Sequence, residues 1–167
     1  NQPIGYHKYD FVRDKDNLSI KSEVSFKITK LGLDLYKYFA SSEENYENGV
    51  FKSYSSKTKQ NKKDRFVNIK LDSSKKHLNI KGSSYTGEAN VEYIVGTWWN
   101  HEIVKAKAQI SGISGRIIHQ TVTFVGKETV EIGDKSYKTL RFNFKSSDET
   151  LPDSKRLNTD IWYEEDT

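Results

Sequence analysis

"SIKSEVSFKITKL", residues 19–31, alternates apolar and polar side chains almost without a break. Ile20, Val24, Phe26 and Ile28 fall on one face, and Lys21, Glu23, Lys27 and Thr29 on the other. Successive side chains of a strand point to opposite sides, so this spacing predicts a half-buried β-strand and not a helix. The same period recurs along the chain. In "RFVNIKLD" Val67, Ile69 and Leu71 share a face, and "HLNIKG" follows the turn "DSSKK" as the second arm of a hairpin. "LDLYKYFASSEENY" and "VFKSYSSKTKQ" form another pair, because Asn48-Gly49 supplies the positive φ angles of a tight turn. "RIIHQTVTFVGKETVEI" predicts a long strand with a bulge or bend at Gly126. "GDK" turns it into "SYKTLRFNFKS", where Leu140, Phe142 and Phe144 share a face. "ETLPDSKR" reads as a loop before a last strand, "LNTDIWYEE".

One segment reads as helix. Asn100 is a good N-cap, Glu102 lies in the first turn, and Lys105 and Lys107 lie toward the end. A short helix is therefore expected over 100–109, ended by Gly112 and Gly115. Together these readings predict an all-β chain of roughly nine or ten antiparallel strands. The expected architecture is a strongly curved sheet forming a barrel or half-barrel, with the short helix across its mouth.

Composition agrees with that class. Hydrophobic residues make up 34% of the 167 and aromatics 13%, so much of the core must come from Tyr and Phe. Twisted antiparallel sheets, buried on one face and wet on the other, suit that balance. The length fits a single β domain over 1–167. No apolar run approaches the roughly 18 residues of a membrane span. The chain opens on Asn1 and holds no methionine. That start is expected of a chain whose secretory signal has been removed, or of an engineered truncation. Cysteine is absent, which excludes disulfides, thiolate catalysis and cysteine-ligated metals.

The net charge of +4 is concentrated in one segment. Residues 52–81 hold ten Lys and Arg against Asp64 and Asp72. Interleaved with Tyr54 and Phe66, such a run has the ingredients of a nucleic-acid surface. Nearly all the bases are Lys, however, and Arg is the better base-reading and stacking residue. The favoured reading is that these lysines solubilise a hairpin and guard an edge strand, so no nucleic-acid partner is expected. A weak contact with an anionic membrane surface is a middle case.

Catalytic and metal motifs do not assemble. His7, His77, His101 and His119 show no H-x-x-x-H spacing and no carboxylate at ligand distance along the chain. No metal and no cofactor is expected. "GISGR" lacks the G-x-S-x-G spacing of a nucleophile elbow and follows a predicted helix where a strand is needed. Glu43-Glu44 and Glu164-Glu165 are adjacent strand residues, so each pair points to opposite faces.

The tryptophan pair in "GTWWNHE" has two readings. In one, it docks the short helix on the sheet with Asn100 as cap. In the other, it walls a groove for an apolar or carbohydrate ligand, with Asn100 and His101 as polar contacts.

Several short marks occur in a particular order. They are a "YDF" start, Glu44 with Gly49 in "ENYENGVFKSYSSKT", Trp99-Asn100 in "GTWWN", Gly115 in "ISGRII", and Trp162-Tyr163 in "DIWYEEDT". In that order, from about Gly5 to Thr167, they resemble the secreted bacterial proteins of domain-of-unknown-function family 6134. The resemblance implies an all-β fold, a signal peptide, and a periplasmic or secreted location in a Gram-negative bacterium. It also implies a further strand beyond the Trp-Tyr motif, so the C-terminal strand is expected to be cut short. It implies no particular activity.

The functional expectation is a binding or carrier module for an apolar or amphipathic ligand such as a lipid. Its candidate lining is Tyr38, Trp98, Trp99, Asn100, His101 and Trp162, with Arg141 as an anion contact. The alternative is a scaffold or protein-interaction domain without enzymatic activity, and behind it a hydrolase whose residues do not assemble from the sequence.

Overall fold

A computed structural model describes residues 4–166. The chain is all-β and mostly antiparallel, arranged as two sheets. It divides into two compact units. One holds the chain up to Val91 together with Ser111–Arg116; the other holds Glu92–Ile110 and the chain from Ile117 onward.

The first unit is a meander. β1 (Gly5–Asp14), β2 (Asn17–Lys30), β3 (Leu33–Glu47), β4 (Val50–Gln60), β5 (Lys63–Leu71), β6 (His77–Gly82) and β7 (Thr86–Asn90) lie side by side in chain order. Every neighbouring pair is antiparallel, because each connection is short. The expected Asn48-Gly49 turn is present, with φ of 52° and 74°. Period-two alternation sorts the residues as expected. Ile20, Tyr54, Val67, Ile69, Leu78 and Ile80 are buried on one face. Glu44 is buried there too and accepts a hydrogen bond from the Tyr46 hydroxyl (2.6 Å). Segment Ser111–Arg116 packs within this unit. Gly112 O accepts from Tyr54 Oη (3.0 Å) and Ser56 Oγ (2.5 Å). Gly82 permits that approach, since a Cβ there would stand 2.6 Å from Ser114 O.

The second unit holds β8 (Ile94–Val95), β9 (Ala108–Ile110), β10 (Ile117–Ile132), β11 (Lys135–Ser146) and β12 (Asn158–Glu164), in the order β12-β11-β10-β9-β8. The β8–β9 pair is parallel; the others are antiparallel. The register of β10 against β11 shifts between Phe124 and Gly126, the bulge expected from the sequence. Val95, Ile103, Ala108, Ile110 and Phe144 form its core.

Three sequence expectations need correction. Neither sheet is closed or strongly curled: β1 and β7 end the first, and β12 and β8 end the second. Alternation reports which face is buried, whereas closure needs terminal strands that can pair; ten-residue β1 and five-residue β7 are poorly matched for that. The helix expected over 100–109 is a five-residue 3-10 turn, His101–Lys105. It stops because Ala108–Ile110 pair with β10, and because buried Gln120 Nε2 donates to the carbonyls of Ile103 (3.2 Å) and Ala106 (3.1 Å). Finally, the lysine-rich segment guards no edge, since β4 and β5 lie inside the seven-stranded sheet. No helix among the described residues is long and apolar enough to cross a membrane.

Candidate functional site

The residues singled out from the sequence fall into separate settings. Trp98 packs edge-on against buried Phe144, with ring centroids 5.2 Å apart. Its backbone has φ of 68°, an uncommon conformation for a bulky residue that tertiary packing must hold. Trp99 is half-buried beside it. Asn100 caps the 3-10 turn, its Oδ1 accepting from the Glu102 amide (3.1 Å). His101 is exposed, 3.4 Å from Glu102 Oε1. The Glu102 carboxylate also receives Lys105 Nζ at 2.8 Å, and that bond holds its carboxyl below the usual range. The capping reading of "WWNH" thus describes the backbone geometry.

Arg141 and Trp162 face each other across β11 and β12. The guanidinium lies over the indole, 5.1 Å from its centroid. Glu128 joins them, accepting from Arg141 Nη1 (2.9 Å) at one oxygen and from Trp162 Nε1 (2.9 Å) at the other. Arg141 also bonds Asp160. Trp162 and Arg141 hold the Glu128 carboxyl low, and Arg141 with Asn143 does the same for Asp160. Two carboxylates therefore already satisfy the charge expected to contact an anion. Tyr38 belongs to the first unit, stacked on Phe26 at 5.1 Å, with burial raising its hydroxyl pKa.

Sequence reading missed an open cleft of about 890 Å³ on the polar face of the seven-stranded sheet. Its floor is a cross-strand row in register: Asp10, Lys21, Glu43, Ser55, Asn68 and Lys81. Six strands at the usual spacing make that row roughly 24 Å long. A parallel row sets Glu23, Ser41, Lys57 and Phe66 beside it. The carboxylates are engaged: Asp10 pairs with Lys8 (2.7 Å), Glu23 accepts from the Tyr6 hydroxyl, and Glu43 accepts from Ser19 Oγ (3.4 Å). The ammonium groups of Lys21, Lys57 and Lys81 have no ion-pair partner among the described residues.

An apolar groove of about 460 Å³ adjoins the cleft and shares Lys57 and Phe66 with it. Its aromatic walls, Phe39 and Phe66, are 43% and 41% exposed, and Lys59 and Arg65 flank them. Unneutralised ammoniums beside exposed aromatic rings can take a ligand with an anionic head and an apolar body. The signal was present in the sequence: Lys57, Phe66, Asn68 and Lys81 all fall on the polar side of their strands. Among the described residues no group of three His, Cys, Asp or Glu is disposed to hold a metal ion.

The chain belongs to the domain-of-unknown-function family DUF6134, whose model matches residues 1–167. No curated protein and no solved structure matches it significantly.

Proposed function

We propose that the protein is a binding module for an anionic amphiphile, held on the open face of the seven-stranded sheet. The observation that carries this reading is the set of lysines without an ion-pair partner among the described residues, Lys21, Lys57 and Lys81, lining a cleft that shares Lys57 and Phe66 with the groove walled by Phe39. The head group, a carboxylate or phosphate, would sit among the ammoniums with Ser55 and Asn68 as hydrogen-bond partners. The apolar part would cover the two phenylalanine rings and remove them from water. Binding is non-covalent and needs no cofactor. The family resemblance implies an exported setting for this binding.

Calorimetric titration with octyl phosphate and with octanol tests the proposal. Octyl phosphate should bind at least about tenfold more tightly than the neutral alcohol, and Lys57→Glu with Lys81→Glu should remove most of that difference. Equal affinity for the two compounds, or no change on reversing both charges, would overturn it.

A further inference from the structure

The hairpin tip between β2 and β3 breaks the rules that the other tips obey. Among the described residues four two-residue turns open on a non-glycine residue with positive φ: Lys15 (53°), Leu31 (51°), Asn48 (52°) and Asn61 (53°). The first residue has nearly the same φ in all four, and in two of them, Leu31-Gly32 and Asn48-Gly49, a glycine follows with positive φ as well. Three of them use Lys or Asn, which tolerate water and, for Asn, the left-handed region itself. The fourth uses leucine, a bulky side chain in a conformation that costs energy, and leaves it 93% exposed. Leu33, Leu35 and Ile28 beside it are 69%, 57% and 42% exposed.

Among the described residues the tip also stands clear of its neighbours. β1 pairs with β2 only as far as Gly5 opposite Phe26, and β4 pairs with β3 only as far as Gln60 opposite Tyr38. Among the described residues, 28–36 form strand pairs only with each other. At about 3.3 Å per residue the arm reaches roughly 13 Å beyond the sheet. A two-stranded arm with four apolar side chains in water gains nothing for stability by itself, and its edges invite aggregation.

Cations ring the base of the arm. Lys27 and Lys37 share Asp34 (2.8 and 2.6 Å), and those bonds hold its carboxyl well below the usual range. Lys30 on the arm, and Lys62 and Lys63 at the adjoining turn, have no ion-pair partner among the described residues. That adjoining turn is tied to the arm, since Asn61 Oδ1 accepts from Lys37 N (2.8 Å) and Asn61 N donates to Lys37 O (2.8 Å). An apolar tip with Lys30 beside it and Lys62 and Lys63 at the adjoining turn matches a bilayer, apolar inside and anionic at the headgroups. A protein partner would have to supply both an apolar pocket and an acidic rim.

We propose that the β2–β3 hairpin is a membrane-docking tip, in which Leu31, Leu33 and Leu35 enter an anionic lipid surface and Lys30, Lys62 and Lys63 bind its headgroups. Insertion is shallow. The outer edges of a two-stranded arm carry unpaired backbone groups that cannot enter the hydrocarbon core. This surface is independent of the cleft, and either proposal can fail without the other. It also gives a role to lysines of the basic segment that edge protection does not explain.

Co-sedimentation with phosphatidylcholine vesicles, with and without phosphatidylglycerol, tests it. The wild type should pellet with the mixed vesicles, and less at high salt. Leu31→Asn with Leu33→Thr suits the turn better and so keeps the fold, yet should weaken vesicle binding by about tenfold or more. Lys30→Glu with Lys62→Glu should cost at least about fivefold for each charge. No binding to mixed vesicles at low salt would overturn the proposal, as would binding that the leucine variant retains in full. So would self-association that this variant abolishes in a protein that ignores vesicles, because the tip would then be an interface between copies.

Discussion

The two faces of the seven-stranded sheet are made by alternate residues of the same strands and do opposite work. Ile20, Tyr54, Val67, Ile69 and Ile80 are buried on one. One residue along, Lys21, Ser55, Asn68 and Lys81 line the cleft on the other. The buried core and the proposed recognition surface are therefore separated by single steps along β2, β4, β5 and β6. Substitutions on one face should leave the other nearly untouched. Large effects should come from the buried face, and effects on binding from the open one.

The sharpest contrast lies within β5. Ile69→Ala opens a cavity in a fully buried position and should cost about 2–5 kcal/mol in urea unfolding. Phe66→Ala, three residues earlier on the cleft face, should cost about 1 kcal/mol or less while weakening octyl phosphate binding. Equal stability losses would mean that the two faces are not separable.

A smaller effect comes from tyrosine. Burial pushes the Tyr54 hydroxyl up from 10.0 to about 12, and burial does the same for Tyr9 on that face. In the unfolded chain each loses its proton near the ordinary value, while in the folded chain it keeps the proton longer. The stability this contributes is complete below pH 10.0 and is lost as the pH rises toward about 12. Urea midpoints across that range should fall, and Tyr54→Phe should make the fall shallower by about 2 kcal/mol. A slope unchanged by Tyr54→Phe would place that hydroxyl in water.

Much of this division was legible in the sequence, and the reason is local. Period two in residues 19–31 and 65–71 sets which side chains share a face, and Asn48-Gly49 sets a turn whatever surrounds it. Gly126 marked its bulge and Asn100 its cap. The rest depends on partners that local patterns do not name. Ala108 and Gln109 looked like the end of a helix because pairing with β10 is invisible in so short a segment. Curvature was overestimated because alternation carries no measure of twist or tilt. The cleft was not legible for a related reason: in a sequence the rarest side chains, Trp98 and Trp162, stand out instead. Both are engaged by their own neighbours, Phe144 in one case and Arg141 with Glu128 in the other. The cleft is built from common residues, Lys, Ser and Asn, which gain meaning only when successive hairpins bring them into one row.

The central claim is that recognition belongs to the open face, and mapping amide chemical shifts on adding octyl phosphate tests it most directly. The largest changes should fall at Lys21, Ser55, Lys57, Phe66, Asn68 and Lys81, with Ile69 and Ile80 shifting less and the segment 98–101 unmoved. Changes concentrated at Trp98, Trp99 and His101, with the cleft residues silent, would contradict it.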